Sequence, residues 1–268
     1  MLIFVSPAYN EELNIGKLID KTHHYCAEHK MSYHQIIVDD GSVDNTAEIV
    51  KRETQARSLP VTLIRYHPNR GAGEAFRAGL TQALSLAKEE DILVTMESDG
   101  TSDLEILPAL SQKIAQGADV VIGSCHARGG RMLGNAWHRV FLSRCANILI
   151  TTLFSMRGLT TLSSFYRAYR PSALRKVLQA YGSFSEERTF SFVVEILIRF
   201  ARLGLKIEEV PMTLDNEKRL GKSKMKIMKN MMGYLRITRR NLVSKNRLKF
   251  FNLPIGSSLI FVAEKLKG

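Results

Sequence analysis

Short runs of consecutive apolar residues recur along the first half of the chain, and each is bounded by polar or turn-forming residues. The runs cover residues 2–5, 35–38, 61–66, 91–96 and 119–124. Such runs are typical of strands that are buried on both faces of a sheet. We expect the helices between them to end near Cys26, Ala56, Ala87 and Gln116. Strands that alternate with single helices predict an α/β fold with a Rossmann-type, mostly parallel sheet flanked by helices.

Acidic residues directly follow three of these predicted strands. Because the carboxyl ends of parallel strands meet at one sheet edge, where open α/β folds bind ligands, we expect these acids to lie close together. Carboxylates there can accept hydrogen bonds from a base or ribose, and they can hold a divalent cation that binds a diphosphate. Tyr9 adds a ring on which a base can stack. The prediction is a nucleotide-diphosphate site with Mg²⁺ or Mn²⁺, formed by Glu11, by Asp39 and Asp40, and by Glu97 and Asp99.

Two turn sequences indicate how the flanking helices begin. Asn10 is a suitable N-cap, and the acids at 11 and 12 then fall in the favoured first turn. Residues 71–73 read Gly-Ala-Gly, but the third glycine of a dinucleotide fingerprint would fall at Phe76, and a P-loop Gly-Lys-Ser/Thr is absent. We interpret this sequence as a tight turn into a closely packed helix, with direct ligand contact as the alternative. The residues that allow close packing are Ala75, Ala78 and Gly79.

The positive charge is concentrated near the C-terminus. Eleven Lys and Arg lie between Arg219 and Lys249, and no Asp or Glu lies between Lys218 and Glu264. These eleven account for nearly all of the formal net charge of +12. The sequence therefore predicts a near-neutral domain followed by a basic C-terminal segment.

The basic segment has the pattern of an amphipathic helix over residues 224–240. Its apolar side carries Met225, Met228, Met231, Met232 and Leu235, and its basic side carries Lys226, Lys229, Arg236 and Arg240. This pattern favours peripheral contact with an anionic membrane, with a helix packed on its own domain as the alternative. No apolar stretch approaches the roughly 20 residues of a spanning helix. Nucleic-acid binding is not indicated, because few aromatic residues are interleaved with the cations and no known module is present.

The three cysteines, Cys26, Cys125 and Cys145, are widely separated and form no CxxC pair. This spacing disfavours a zinc site or a disulfide framework and suggests a reducing compartment. The first apolar run lacks the basic region of a signal peptide. We therefore expect a cytoplasmic location, peripheral at the cytoplasmic membrane face.

Several motifs, in their order and spacing, resemble the family 2 glycosyltransferases, which have the GT-A fold. They are residues 7–12 (Pro-Ala-Tyr-Asn-Glu-Glu), 38–44 (Val-Asp-Asp-Gly-Ser-Val-Asp), 69–71 (Asn-Arg-Gly) and the acidic turn at 97–99. Within the family the sequence resembles dolichol-phosphate mannosyltransferases and bacterial polyprenyl-phosphate glycosyltransferases. That similarity rests on residues 121–124, 129–130, 138–139, 143–144, 165–169, 209–211 and 219–224. The resemblance extends to about residue 230.

The resemblance implies a role for particular residues. Donor binding is expected from Pro7, Tyr9, Glu11, Val38, Asp40, Glu97, Ser98, Asp99 and Thr101, with Glu97, Asp99 and Thr101 at the metal. Candidates for holding the acceptor phosphate are Arg128, Arg139, Ser143, Arg144, Arg219 and Lys224. The expected catalytic residues are Asp99, Arg139, Arg219 and Lys224.

Four positions depart from the family pattern. Glu97 stands where the family has Asp, and Thr101 where it has Gln. Glu97 keeps the charge on a longer arm, so metal binding remains the expectation. Cys125 replaces an Arg, which removes one expected phosphate contact, and Thr161 replaces an Asp for a reason that the sequence does not supply.

The predicted reaction is the metal-dependent, inverting transfer of a sugar from a GDP- or UDP-linked donor to a polyprenyl (dolichyl or undecaprenyl) phosphate. A phosphate monoester with a second pKa near ~6 is mostly dianionic at neutral pH and needs no general base. A saccharide or other hydroxyl acceptor would need a carboxylate base, which Glu186 or Glu187 could supply, although a first-turn role in a helix over 189–203 is preferred. A non-catalytic nucleotide-sugar-binding protein is the third alternative. A nucleotidyltransferase is disfavoured, because no glycine-rich loop follows the first strand.

We expect one glycosyltransferase domain over 1–223, with a donor half over about 1–125 and an acceptor half over about 126–223. A basic amphipathic helical extension is expected over 224–268.

Overall fold

The computed structural model describes residues 1–134, 145, 147–148, 150–154, 156, 158–218, 220 and 227–243. Its strands are β1 Leu2–Ala8, β2 Tyr33–Asp39, β3 Val61–Arg65, β4 Ile92–Thr95, β5 Val120–Ser124, β6 Arg131–Leu133, β7 Arg167–Tyr169, β8 Ile207–Pro211 and β9 Thr213–Asp215. Its helices include α1 Ile15–Glu28, α2 Thr46–Arg57, α3 Ala72–Leu86, α4 Leu107–Ala115, α5 Pro171–Tyr181, α6 Phe192–Arg202 and α7 Ile227–Val243, with 3₁₀ turns at Leu104–Ile106 and Asn216–Lys218.

A seven-stranded sheet with the order β3-β2-β1-β4-β7-β5-β8 forms the centre of the fold. The pairs β1–β2, β1–β4, β2–β3 and β5–β8 are parallel, which confirms the mostly parallel sheet. Strand β7 lies antiparallel between β4 and β5, and the apolar pattern alone did not predict it. A second small sheet pairs β6 with β9 in parallel. The main sheet contains strands from both the predicted donor half and the predicted acceptor half. The division between these halves near residue 125, and the end of the glycosyltransferase domain at residue 223, stay predictions.

The hydrophobic core occupies both faces of this sheet. Ile3 and Val5 belong to the cluster that includes residues of α3, α5 and α6. Phe4, between them, belongs to the cluster that includes residues of α1, α2 and α4. Successive strand residues point to opposite faces, so a strand that is buried on both sides must be apolar at every position. This is the physical reason for the unbroken apolar runs in the sequence.

The first helix begins later than the sequence predicted. Asn10 does not cap it: this residue has a φ of 54°, and its Oδ1 accepts a hydrogen bond from the N–H of Val43 at 2.9 Å. Helix α1 starts at Ile15, after a turn that contains the two acids at 11 and 12. The correction has a functional consequence, because these acids lie in an irregular turn at the sheet edge instead of a regular helix.

The described part of the basic extension packs on the domain, as the alternative prediction had it. In α7, Ile237 is buried in the core, and a Cβ built on Gly233 would lie 2.3 Å from the Ser191 Oγ. Arg236 and Arg240 of the predicted basic side form ion pairs with acids of the 186–195 segment, while their side chains stay 53% and 35% exposed. Met232 and Leu235, which were predicted for the apolar side, are also exposed, at 53% and 63%.

No helix within the described ranges is long and apolar enough to cross a membrane. Residues 224–226 of the predicted amphipathic segment, which include Lys224, Met225 and Lys226, lie outside the described residues.

Candidate functional site

The carboxyl ends of β2, β1 and β4 lie side by side, and the three acidic segments follow them. The Asp40 N–H donates to the Ala8 carbonyl at 2.9 Å, and the Ser98 hydroxyl donates to the Pro7 carbonyl at 2.8 Å. These bonds join the β2 turn and the β4 turn to the end of β1. The acidic turns therefore form one continuous edge.

The turn after β1 is held by the turn after β2. The N–H groups of Asn10 and Glu11 donate to the hydroxyls of Ser42 and Thr46, both at 2.8 Å. The Glu11 carboxylate accepts a hydrogen bond from the Asn14 amide at 2.7 Å. Glu11 and the 37% exposed Tyr9 ring are thus fixed at the rim of the edge. Sequence reasoning missed the hydroxyls at 42 and 46, because one Ser or Thr in a turn carries little signal.

Asp40 is buried and holds the loop that follows β3. Its two carboxylate oxygens accept the N–H groups of Arg70 and Gly71 at 2.8 and 2.9 Å. Burial raises the pKa of this carboxyl, and the two N–H groups only partly oppose the shift. The predicted donor residue Val38 differs, because its side chain is fully buried and faces Gly79 of α3. The Val38 side chain is therefore part of the core and is not at the site.

The acidic turn after β4 has its own internal hydrogen bonds. The Thr101 N–H and hydroxyl both donate to the Asp99 Oδ1, at 3.1 and 2.6 Å. The Ser102 hydroxyl donates to the Glu97 Oε2 at 3.0 Å. Thr101 is buried, so its hydroxyl orients Asp99 instead of extending the row of exposed oxygens. Glu97 and Asp99 remain partly exposed, and hard carboxylate oxygens are ligands that Mg²⁺ and Mn²⁺ accept.

A metal at this turn would rest on those two carboxylates. Within the described residues no group of three His, Cys, Asp or Glu is placed to hold a metal ion. Mg²⁺ often uses one or two carboxylates and takes its other ligands from substrate phosphates and water. The residues present therefore fit a metal that binds together with a diphosphate.

The Gly-Ala-Gly turn packs against the segment that precedes α6. The Gly73 N–H donates to the Arg188 carbonyl at 3.0 Å. A Cβ at Gly71 would lie 2.5 Å from that carbonyl oxygen, and one at Gly73 would lie 2.2 Å from the Glu187 carbonyl oxygen. Only glycine allows this close approach, and Gly71 also has a φ of 99°. The prediction of a tight turn with close packing is confirmed.

Two of the departures from the family pattern, Cys125 and Thr161, lie together at the end of β5. The Thr161 hydroxyl is 2.7 Å from the Ser124 Oγ and hydrogen-bonds Cys125, whose pKa is raised by burial. The N–H groups of Thr160 and Thr161 both donate to the Glu209 Oε1 at 2.8 Å. Glu209 of β8 therefore supplies the carboxylate that organises this loop. Sequence reasoning quoted Glu209 only as part of a motif and missed this role.

Of the predicted acceptor residues, the structure describes Arg128. It is exposed and lines an open groove of about 370 Å³ together with Thr160, Glu208 and Glu209. The remaining candidates, Arg139, Ser143, Arg144, Arg219 and Lys224, lie outside the described residues, and their roles stay predictions.

Leu220 contacts the donor edge through its main chain. Its carbonyl accepts a hydrogen bond from the Asn14 amide at 3.0 Å, and the same amide nitrogen donates to Glu11. This contact spans 206 residues of sequence. No local pattern could have indicated it.

The candidate bases of the hydroxyl-acceptor alternative are engaged elsewhere. Glu187 is 3% exposed and accepts hydrogen bonds from Arg236 and Arg240. Glu186 pairs with Arg199 and Arg240. Both carboxylates are therefore already occupied by guanidinium groups, and that of Glu187 is also buried.

The chain is similar in sequence and in fold to known glycosyltransferases. The sequence model of glycosyl transferase family 2 matches residues 3–178. The chain is 32% identical to the polyprenol monophosphomannose synthase of Mycolicibacterium smegmatis over 224 residues, which cover 83% of this chain and 80% of that protein. It is also 32% identical to the undecaprenyl-phosphate mannosyltransferase of Micrococcus luteus over 230 residues, with 84% and 87% covered. A crystal structure of glucosyl-3-phosphoglycerate synthase from Mycobacterium tuberculosis with Mn²⁺, UDP and glucosyl-3-phosphoglycerate superimposes with a TM-score of 0.62 and 19% identity, covering 89% of this chain and 80% of that one.

Proposed function

Because the chain belongs to glycosyl transferase family 2 and has a GT-A-like fold, we propose that this glycosyltransferase moves a sugar, with inversion, from a GDP- or UDP-linked donor to a polyprenyl phosphate. The observation that carries the proposal is the row of acidic turns at the ends of β1, β2 and β4. The names of the two similar mannosyl transfer proteins support the choice of acceptor.

The donor half of the reaction needs a fixed nucleotide and a stabilised leaving group. Asp40 holds the 70–71 loop, and Glu11 and Tyr9 offer a carboxylate and a ring at the rim. Glu97 and Asp99 would hold Mg²⁺ or Mn²⁺, which stabilises the charge of a departing nucleoside diphosphate. Ser98 and Thr101 keep this turn in position through the Pro7 carbonyl and Asp99.

The acceptor half needs cations more than a base. A phosphate dianion is already a nucleophile, so the protein has to orient it and shield its charge from that of the diphosphate. Arg128, Arg139, Arg144, Arg219 and Lys224 are the candidates, with Ser143 as a hydrogen-bond donor. The pairing of Glu187 with two arginines favours this reaction over transfer to a hydroxyl group, which requires an available base.

Peripheral contact with an anionic membrane at its cytoplasmic face is the second part of the proposal. The exposed Met232 and Leu235 side chains, with the exposed Arg239 one turn further on, form an apolar and basic outer face of α7. Each cation near an anionic leaflet contributes about 1 kcal/mol. This assignment replaces the sequence-based choice of Arg236 and Arg240, which are paired within the protein.

Vesicle sedimentation tests the membrane contact. Wild-type protein should bind phosphatidylglycerol vesicles and release them as salt rises, whereas it should bind phosphatidylcholine vesicles weakly. A double variant, Met232→Glu with Leu235→Glu, should lose the binding. The control Leu86→Glu, at a 40% exposed position at the end of α3, should keep it. Equal binding to both vesicle types, or to neither, would contradict the contact.

A transfer assay tests the reaction. Purified protein is incubated with a panel of radiolabelled GDP- and UDP-sugars and a polyprenyl phosphate, and the lipid is extracted and counted. We expect one donor to label the lipid, and we expect this labelling to be lost with EDTA and restored with Mg²⁺ or Mn²⁺. The absence of labelled lipid with every donor would contradict the proposed reaction. Full labelling in EDTA would contradict its metal dependence.

A further inference from the structure

The carboxylate of Glu187 is buried between the domain and the C-terminal helix. Its Oε2 lies 2.8 Å from the Arg236 Nη2, and its Oε1 lies 2.6 Å from the Arg240 Nη2. The Ser191 hydroxyl also donates to Oε2, at 2.9 Å. Only 3% of Glu187 is exposed while α7 is in place, so its carboxylate depends on these partners for its hydrogen bonds. The ion pairs therefore define where α7 rests.

The same short segment supports the donor loop through its main chain. The Arg77 guanidinium donates to the carbonyls of Ser185 and Glu187 at 3.0 and 3.1 Å. The next carbonyl along, that of Arg188, accepts the Gly73 N–H at 3.0 Å. Two residues before Gly73, the Gly71 N–H donates to Asp40. A continuous series of contacts thus joins α7 to the buried carboxylate of the donor site.

We propose that Glu187, with Arg236 and Arg240, is a positioning group: it couples the seating of α7 to the shape of the glycine turn and Asp40, and so to the affinity for a nucleoside diphosphate. No atom of this group needs to touch the ligand. The inference rests on the proposed function only in taking the acidic edge as the donor site.

The close fit of the glycines makes this coupling sensitive. The Glu187 and Arg188 carbonyls lie where a Cβ of residues 71 and 73 would be, at 2.2 to 2.5 Å, so a shift of this segment cannot be absorbed by flexible side chains. On the other side, Gly233 of α7 fits closely against the short Ser191 side chain, with a built Cβ at 2.3 Å from its Oγ and 2.7 Å from its Cβ. Close contacts on both sides of one short segment transmit displacement directly.

The test is the affinity for UDP and GDP, each with Mg²⁺ or Mn²⁺, measured by calorimetry on the whole chain. Arg236→Gln with Arg240→Gln should weaken the tighter nucleotide at least fivefold, within the range of ordinary coupling between sites. It should also speed hydrogen exchange at the amides of Gly71 and Gly73. Arg236→Lys with Arg240→Lys should recover part of the affinity, because the charges are kept.

Two further variants separate coupling from general loss of stability. Arg175→Gln removes an exposed ion pair with Glu89 in the α5 region and should leave nucleotide affinity unchanged. Gly233→Ala pushes α7 off Ser191 without any change of charge and should weaken nucleotide binding as the double Gln variant does. If the double Gln variant does not fold, Gly233→Ala and the single Arg236→Gln supply the same comparison.

Unchanged nucleotide affinity and unchanged amide exchange in the folded Arg236→Gln, Arg240→Gln and Gly233→Ala proteins would overturn the coupling. The amide exchange needs no ligand, so it distinguishes the two proposals. If the wild-type protein transferred no sugar but amide exchange at Gly71 and Gly73 were faster in the variants, the coupling would stand and the proposed function would be contradicted.

Discussion

Replacing Asp40 with Asn tests whether the donor edge is organised as the structure has it. Each carboxylate oxygen accepts one main-chain N–H, at 2.8 and 2.9 Å. An amide keeps one acceptor and turns an NH₂ group toward the other N–H, so Asp40→Asn loses one hydrogen bond to a charged group and leaves a buried donor unpaired. These losses cost about 1.5–3 and about 1–3 kcal/mol, respectively.

Part of this cost is recovered because the variant no longer buries a charge. Burial raises the pKa of Asp40, so ionisation of this carboxyl opposes folding at neutral pH. We expect a net loss of about 1–3 kcal/mol, which lowers the melting temperature by about 2–10 °C for a chain of this size. Because the 70–71 loop loosens, nucleotide affinity should fall as well.

Differential scanning calorimetry with and without UDP or GDP measures both effects. Asp20→Asn is the control, since Asp20 makes a partly exposed ion pair with Arg57 and should change stability by less than about 1 kcal/mol. If Asp40→Asn melted within 1 °C of the wild type and bound nucleotide equally well, Asp40 would not hold the loop, and the reasoning from its two hydrogen bonds would fail.

Three further predictions concern the metal turn, packing and acid stability. Asp99→Asn should abolish metal-dependent transfer with an unchanged circular dichroism spectrum, and Glu97→Asp should retain activity with a shifted preference between Mg²⁺ and Mn²⁺. Near wild-type turnover of the Asp99→Asn protein, or complete loss of activity in a folded Glu97→Asp protein, would refute the assignment of the metal to this turn. Gly79→Ala should destabilise the protein by about 1–2 kcal/mol, because its Cβ would lie 2.4 Å from the Val5 Cγ1. Gly16→Ala, whose Cβ meets nothing closer than 3.5 Å, should stabilise it by about 0.5–1 kcal/mol in urea unfolding. If both variants changed the free energy of unfolding in the same direction, the packing argument would fail. Burial alone would raise the pKa of Glu195, but the Ser185 hydroxyl, Arg199 and Arg240 hold this pKa below its ordinary value. The ionised carboxylate therefore stabilises the fold at pH values above its ordinary pKa, and this stabilisation is lost as pH falls through the lowered pKa. Glu195→Gln should make the free energy of unfolding less dependent on pH in the acid range, and an unchanged dependence would contradict the reasoning.

Strands β1, β2, β4 and β5 were predictable because they are largely buried on both faces and therefore mostly apolar. The acidic edge followed from the same logic, since the ends of neighbouring parallel strands coincide and the motifs had already indicated which ends carry acids. The three-residue strand β7 gave no periodicity to detect, and its antiparallel position depends on long-range pairing with β4 and β5.

Other features depended on contacts that no local pattern encodes. Helical spacing correctly indicated that 227–240 is helical, but it did not indicate that Arg236 and Arg240 form ion pairs within the protein, because the acids that pair with them lie about 50 residues earlier. Thr161 had no explanation until Glu209 was found to supply the carboxylate for its loop. In both cases the polar partner is distant in sequence and close in space.

The central claim is that the acceptor is a lipid phosphate, and the most direct measurement compares polyprenyl phosphate with the polyprenol of the same chain length. With the preferred nucleotide sugar, kcat/KM should be measurable for the phosphate and negligible for the alcohol, because a phosphate dianion needs no general base and Glu187 is bound to arginines. Equal or greater transfer to the alcohol would contradict the account and favour a hydroxyl acceptor.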